Sequence, residues 1–113
     1  MAYCWTQDLP ITLDIYREIL ADLGEPAPDG LIVHVAQVLP DGHLSYLDIW
    51  ESQDACERFT EERLHPSVGR ALARHHIQVP GGEPPRRPVQ IAHIWAPGAA
   101  DTWPSGRSAA AIR

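Results

Sequence analysis

Four side chains able to do acid–base or aromatic chemistry lie on two short apolar segments joined by a turn. Tyr46, Asp48 and Trp50 are two residues apart in HLSYLDIW, so in a β-strand all three point to one face. His34 lies among apolar residues in LIVHVAQV. The loop between the segments is centred on Asp41 and contains Pro and Gly, which are typical of a turn. The pattern predicts a hairpin whose strands carry polar groups that a plain core does not need.

A hairpin symmetric about Asp41 fixes which residues face each other across the two strands. It predicts four cross-strand pairs: Val38 with Leu44, Ala36 with Tyr46, His34 with Asp48, and Ile32 with Trp50. A carboxylate opposite His34 would fix the tautomer of the imidazole and orient it as a general base. Tyr46 would donate a hydrogen bond to a developing enolate or oxyanion. We therefore predict His34, Asp48 and Tyr46 as the catalytic residues.

Each of these three residues also has a purely structural explanation. His34 and Asp48 can form a hydrogen bond that only stabilises the sheet, and Tyr46 can be an ordinary core residue. A loop one residue shorter would turn Asp48 to the opposite face of the sheet. The sequence leaves these alternatives open.

Three further residues are candidates for contact with a substrate. Trp50 and Trp95 lie at the ends of predicted strands, where an indole can form an aromatic pocket wall, although packing is the more common role. His93 shares a face with Trp95 in the last predicted strand. We predict Trp50, His93 and Trp95 as substrate-binding residues.

The remaining polar clusters indicate no metal site and no cofactor. His65, His75 and His76 have a spacing that matches no known ligand geometry, and helix-end histidines commonly interact with the helix dipole. Arg86 and Arg87 lie in a Pro- and Gly-rich segment and are interpreted as solvated loop charge, with an anionic substrate as the alternative partner. We expect neither a metal nor an organic cofactor.

Composition narrows the possible functions further. The chain has 113 residues, enough for one domain, and a net charge of −6. Its nine basic residues are all Arg, which excludes a lysine Schiff base and a P-loop lysine, and they form no block suited to nucleic acid. The sequence contains no apolar run of membrane-spanning length and no signal-peptide pattern, so a cytoplasmic location is expected. Cys4 and Cys56 are expected to be reduced thiols.

Hydrophobic periodicity and turn residues predict a β-α-β-β-α-(α)-β order. The predicted strands are Ala2–Thr6, Leu31–Val38, Leu44–Trp50 and Val89–Trp95. The predicted helices run from Thr12 to Leu23, from Ser52 to Leu64 and from Ser67 to His75, and Pro66 is expected to end the second of them. Pro80–Pro88 is expected to be an exposed loop. We expect Ile11 and Tyr16 to form a hydrophobic staple at the start of the first helix. Right-handed crossovers make this a ferredoxin-like α+β sheet with helices on one face, over residues 1–96, followed by a Pro-, Gly- and Ala-rich tail at 97–113 that Trp103 could anchor.

The other sheet face is also rich in large side chains, so a second copy of the chain is expected to cover it and to form a homodimer. In its element order and local sequence, the chain resembles the dimeric α/β-barrel superfamily, which includes antibiotic-biosynthesis monooxygenases, EthD-type proteins and small polyketide cyclases. The resemblance rests on the element order over residues 1–96 and on GLIVHV at 30–35 and DIWESQDACERF at 48–59. It implies a homodimer and a ligand pocket between sheet and helices, in many members without metal or organic cofactor.

These observations favour a cofactor-independent acid–base enzyme, of cyclase, isomerase or monooxygenase type. Its substrate would be a small hydrophobic metabolite, aromatic or polyketide-like. A carrier or sensor with the same pocket and no chemistry is the first alternative. A haem protein with His34 or His93 as axial ligand is the second, and a purely structural dimer is the third.

Overall fold

The structure, a computed structural model, describes residues 2–96, so the predicted tail at 97–113, with Trp103, lies outside the described residues. Its elements in chain order are β1 (Tyr3–Thr12), α1 (Leu13–Leu23), β2 (Leu31–Val38), β3 (His43–Trp50), α2 (Gln53–Phe59), α3 (His65–Arg74) and β4 (Arg87–Pro88). A π-helical segment, Thr60–Leu64, joins α2 to α3.

The four strands form one antiparallel sheet in the order β2-β3-β1-β4. The hairpin partners β2 and β3 are adjacent, while β1 lies between β3 and β4, so the order is compatible with a ferredoxin-like fold. The predicted α+β class and the antiparallel sheet are therefore confirmed.

Two apolar clusters hold the helices against one face of the sheet. Ile15 and Ile19 of α1 pack with Leu44 of β3, and Ala71 of α3 joins the same cluster. The second cluster contains Trp5 of β1 together with Trp50 of β3 and Cys56 of α2. Tyr46 packs against both clusters, which places the polar residues of β3 between them on the helix-covered face.

The hairpin has the predicted register along most of its length. The structure confirms the pairs Val38–Leu44, Ala36–Tyr46 and His34–Asp48. Two backbone hydrogen bonds, Leu39 N–H to the His43 carbonyl (2.8 Å) and Gly42 N–H to the Leu39 carbonyl (2.9 Å), close the turn around Asp41. The pair Ile32–Trp50 is wrong, because the register shifts and Leu31 lies opposite Trp50. The shift lets Leu31 pack against the Trp5–Trp50 cluster and leaves Ile32 exposed.

Pro66 does not break the second helix as predicted. The π-helical segment Thr60–Leu64 continues directly into α3, and Pro66 lies in the first turn after this junction. Ser67 is not a cap: it is buried, and its hydroxyl donates to the Asp22 carboxylate at 3.0 Å. In contrast, Ser52 caps α2 as predicted, because its Oγ accepts from the Ala55 N–H at 3.1 Å.

The first and last strands of the chain, β1 and β4, differ from prediction. β1 is longer than Ala2–Thr6 because it pairs with β3 from Tyr3 to Thr12. The predicted strand Val89–Trp95 is wrong, since the strand that pairs with β1 is Arg87–Pro88, inside the predicted loop. One further bond, from the Val89 N–H to the Cys4 carbonyl at 3.1 Å, ends this pairing. Next to this strand, the Arg86 guanidinium stacks over the Trp5 ring of β1 at 4.3 Å, a contact that stabilises the pairing.

Candidate functional site

A hydroxyl, an imidazole and a carboxylate are joined by two short hydrogen bonds under helix α1. The Tyr16 hydroxyl lies 2.7 Å from Nε2 of His34, and Nδ1 of His34 lies 2.6 Å from Oδ1 of Asp48. The second carboxylate oxygen of Asp48 accepts from the Trp50 indole N–H at 2.9 Å. We call Tyr16, His34 and Asp48 the Tyr–His–Asp network.

Local structure explains how three separate elements bring these side chains together. His34 and Asp48 are cross-strand partners in the β2–β3 ladder, so their side chains share the helix-covered face. Tyr16 follows Ile15 in α1, and Ile15 and Ile19 are buried in the core, which fixes the rotation of the helix over the sheet. The phenol therefore reaches the imidazole from above β2.

The Tyr–His–Asp network lies at the boundary between core and solvent. The Asp48 side chain is 7% exposed, whereas 27% of the His34 side chain remains accessible. Each carboxylate oxygen of Asp48 takes one donor, so the buried charge has the partners it needs. With Asp48 ionised, the hydrogen bonds assign the neutral imidazole as the Nδ1–H tautomer, with Nε2 accepting from Tyr16.

The two phenols of the site stay protonated at neutral pH. Burial, reinforced by the negative charge of Asp48, raises the pKa of Tyr16 to about 12. Burial also raises the pKa of Tyr46, with further contributions from Tyr16 and from Asp48. Both phenols are therefore hydrogen-bond donors rather than resting phenolates.

The predicted catalytic residues come together. The Tyr46 ring contacts the His34 ring edge to face, with centroids 4.9 Å apart, and its centroid lies 5.6 Å from that of Tyr16. One site on the helix-covered face of the sheet thus contains His34, Asp48 and Tyr46. The opposite face, which a second copy of the chain was expected to cover, does not carry them.

The predicted substrate-binding residues divide into two groups. Trp50 lies next to Asp48 but is buried, with the Phe59 ring 5.7 Å away, so it forms part of the core beneath the site. His93 and Trp95 contact each other, with ring centroids 5.3 Å apart, in the segment that follows β4. Trp95 is 87% exposed, and this pair makes no aromatic contact with His34 among the described rings.

Tyr16 is the member of the network that sequence reasoning missed. In the sequence it belongs to the apolar stripe of α1 and serves as the partner of Ile11 in a hydrophobic staple. A hydroxyl within an otherwise aliphatic stripe was the available signal, because a buried phenol needs a polar partner.

A separate polar cleft of about 460 Å³ opens between the end of α2 and the segment before β4. Its lining residues are Glu57, Thr60, Glu61, His65, Glu83, Pro84 and Arg86. Arg86 donates to the Thr60 hydroxyl at 3.0 Å and is only 17% exposed, so it is not the solvated loop charge we expected. His65 pairs with Glu83 at 2.9 Å. None of the residues of the Tyr–His–Asp network lines this cleft.

Three broader observations concern the chain as a whole. Among residues 2–96, no group of three or more His, Cys, Asp or Glu side chains is placed to hold a metal ion. None of the helices between these residues is long and apolar enough to cross a membrane. Comparison with protein-family models, with curated proteins and with solved structures gives no match to this chain.

Proposed function

We propose that this chain is a cytoplasmic, homodimeric acid–base enzyme that works without a cofactor on a small hydrophobic carbon acid. The observation that carries the proposal is the Tyr–His–Asp network, with its hydrogen bonds of 2.7 and 2.6 Å. In hydroxyl–imidazole–carboxylate triads, a carboxylate orients the imidazole, and the imidazole takes the proton of the hydroxyl; the Tyr–His–Asp network has the same order of groups.

The proposed reaction moves one proton along the network. The Tyr16 oxygen takes a proton from an acidic carbon of the substrate while the hydroxyl proton of Tyr16 passes to Nε2 of His34. The products are a substrate enolate, a neutral phenol and an imidazolium, so the charge on the enolate is balanced by the imidazolium. Asp48 stabilises that imidazolium at Nδ1. Return of the proton to a different carbon completes an isomerisation, and attack by the enolate on an internal carbonyl completes a cyclisation.

The surroundings of the network favour an apolar, aromatic or polyketide-like substrate. The rings of Tyr16 and Tyr46 flank His34. Tyr46, whose pKa burial raises, is the second donor available for a developing enolate oxygen. Membership of the dimeric α/β-barrel superfamily, with monooxygenase activity among its chemistries, is part of this proposal and is supported by the sheet order alone.

The direct test is proton exchange at carbon. The purified protein is incubated in D₂O with enolisable aromatic 1,3-diketones such as 1-phenylbutane-1,3-dione, and deuterium uptake is followed by NMR. We expect exchange above the buffer rate, and a loss of about 10²-fold or more in His34→Ala because the acceptor of the Tyr16 proton is removed. Exchange that is unchanged in a folded His34→Ala protein would contradict the proposal.

A non-catalytic binding protein is the second candidate, and one observation favours it. Both ring nitrogens of His34 already have partners, as expected for a structural network. Saturable binding of the same diketones without protein-dependent exchange would support this function.

A haem protein is the remaining alternative. Because both ring nitrogens of His34 are hydrogen-bonded, His93 is the histidine left to serve as axial ligand. A Soret band on addition of haem to the purified protein would support this alternative.

The homodimer is proposed from the distribution of exposed apolar side chains. Six of the large hydrophobic residues that are at least one-third exposed lie on two segments: Ile32, Val35 and Val38 on β2, and Ile91, Ile94 and Trp95 after β4. β2 is an edge strand, and its outer backbone groups have no strand partner among residues 2–96. A second copy paired along β2 would cover the apolar side chains of that strand and remove an exposed edge.

A further inference from the structure

We infer that Trp50 is a positioning residue for the Tyr–His–Asp network: its indole N–H fixes the Asp48 carboxylate, and thereby the tautomer of His34. The inference rests on the proposed function for its catalytic meaning. Its geometry stands alone, because the Trp50 N–H lies 2.9 Å from Oδ2 of Asp48 while His34 binds Oδ1.

The Trp50 donor is itself rigid. Trp50 is 2% exposed, packs in the cluster with Trp5 and Cys56, and lies against the Phe59 ring. A carboxylate bound by one donor can rotate about its terminal torsion, which has broad minima. Two donors on different oxygens, one of them locked by the core, remove that freedom and aim Oδ1 at His34.

The indole of Trp50 determines how the side chain of residue 48 is oriented. An indole N–H can only donate a hydrogen bond, so the atom of residue 48 that faces Trp50 must be an acceptor. A carboxylate satisfies this with either oxygen, and the remaining oxygen then accepts from Nδ1–H of His34. The Nε2 atom of His34 is left free of hydrogen and can receive the Tyr16 proton, which is the state that the proposed reaction needs.

The same rule predicts that the Asp48→Asn substitution changes the tautomer of His34. The amide oxygen should face Trp50, so the amide NH₂ faces His34 and forces Nδ1 to accept. His34 should then carry its hydrogen on Nε2, which blocks proton uptake from Tyr16. In the double variant Asp48→Asn with Trp50→Phe, the amide is free to turn its oxygen to His34, and the Nδ1–H tautomer should return.

The experiment measures the ¹⁵N shifts of the His34 ring by NMR in folded protein, at a pH where the imidazole is neutral. We expect Nδ1–H in the natural protein, Nε2–H in Asp48→Asn, and a return toward Nδ1–H in the double variant. In Trp50→Phe alone, the Nδ1 hydrogen should exchange with solvent about tenfold faster, as expected when a bond to a charged group is lost.

Trp5→Phe is the matched control. Trp5 is equally buried at 2% and belongs to the same cluster, but its indole N–H has no hydrogen-bond partner in the described structure. It should leave the His34 tautomer and the exchange rate unchanged.

Two outcomes would overturn the inference. One is an Asp48→Asn protein in which His34 keeps the Nδ1–H tautomer. This outcome does not depend on a Trp50 variant, so it decides the question even if Trp50→Phe does not fold. The other is a double variant with the same tautomer as Asp48→Asn. Because the readout needs no substrate, it separates the two ideas: failure of carbon exchange with the predicted tautomers removes the enzyme and keeps the positioning role.

Discussion

At the scale of single residues, the site divides into a part encoded locally and a part encoded by tertiary packing. His34 and Asp48 could be paired from the sequence because a short turn fixes which residues meet. Tyr16 could not, because its contact with His34 depends on how α1 rotates over the sheet. That rotation is set by the burial of Ile15 and Ile19, which no spacing between Tyr16 and His34 reveals.

The displaced pKa of Tyr16 makes a prediction about alkaline stability. Burial raises the pKa of Tyr16 from its ordinary value near 10 to about 12, so the folded protein holds this proton more tightly than the unfolded chain does. The resulting stabilisation is complete below pH 10 and is lost as the pH rises from 10 to 12.

Urea unfolding at pH 9 and pH 11 tests this prediction. By pH 11 the Tyr16 contribution to the free energy of unfolding should have fallen by about 1 kcal/mol. Tyr16→Phe has no such proton, so its free energy of unfolding should decrease by that much less over the same interval. Equal decreases in the free energy of unfolding of the two proteins would show that folding does not raise the pKa of Tyr16.

At the scale of elements, local signals located α1, β2, β3 and the Ser52 cap, whereas the extent of β1 and the position of the last strand depend on longer-range contacts. Helix α1 ends at Leu23, as predicted, and the next residue, Gly24, has a positive φ of 70° with its N–H bonded to the Leu20 carbonyl. The last strand was misplaced because apolar alternation pointed to Val89–Trp95, whereas the segment that pairs with β1 is Arg87–Pro88, next to the contact of Arg86 with Trp5.

Gly30, at the entrance to β2, is predicted to be indispensable for two reasons. Its φ is 86°, and a Cβ atom there would lie 2.6 Å from the Cβ of Ala55 on α2. Gly42 has a similar φ of 90° but no atom within 4 Å of an added Cβ, so it separates the two costs.

Gly42→Ala should therefore lose about 1 kcal/mol for the left-handed backbone alone, and Gly30→Ala a further 1–3 kcal/mol, roughly, for overpacking against α2. Urea denaturation measures both. Adding Ala55→Gly to Gly30→Ala should recover part of the extra loss because it removes the clash. Equal losses in the two single variants would mean that α2 yields to the extra methyl group.

The caps of α1 and α2 give a second matched pair. The Ser52 side chain accepts from the Ala55 N–H, whereas Thr12 makes no side-chain cap bond to α1. Ser52→Ala should lower the free energy of unfolding by about 1 kcal/mol. Thr12→Ala should cost clearly less, and a Thr12 effect as large as that of Ser52 would contradict the capping assignment.

At the scale of the whole molecule, the exposed apolar side chains on β2 and after β4 lead to a prediction about assembly. If a second copy covers them, sedimentation should give twice the 12.5 kDa of one chain. Val35→Glu, which puts a charge on the edge strand, should shift the protein toward monomer.

Leu20→Glu is the control for this experiment. Leu20 on α1 is 39% exposed, close to the 45% of Val35, but lies on neither of the two segments. It should leave the sedimentation coefficient unchanged. A monomer at all concentrations, or equal disruption by both variants, would place the interface elsewhere or remove it.

The central claim is that Tyr16 and His34 act as one proton-transfer unit. The most direct measurement is the rate of carbon deuteration in Tyr16→Phe, His34→Ala and the double variant, compared with the natural protein. Residues that act as a unit show strongly non-additive losses. We predict that each single variant loses nearly all of the protein-dependent rate and that the double variant loses no more. Losses that multiply, or a Tyr16→Phe protein that keeps the full rate, would contradict the claim.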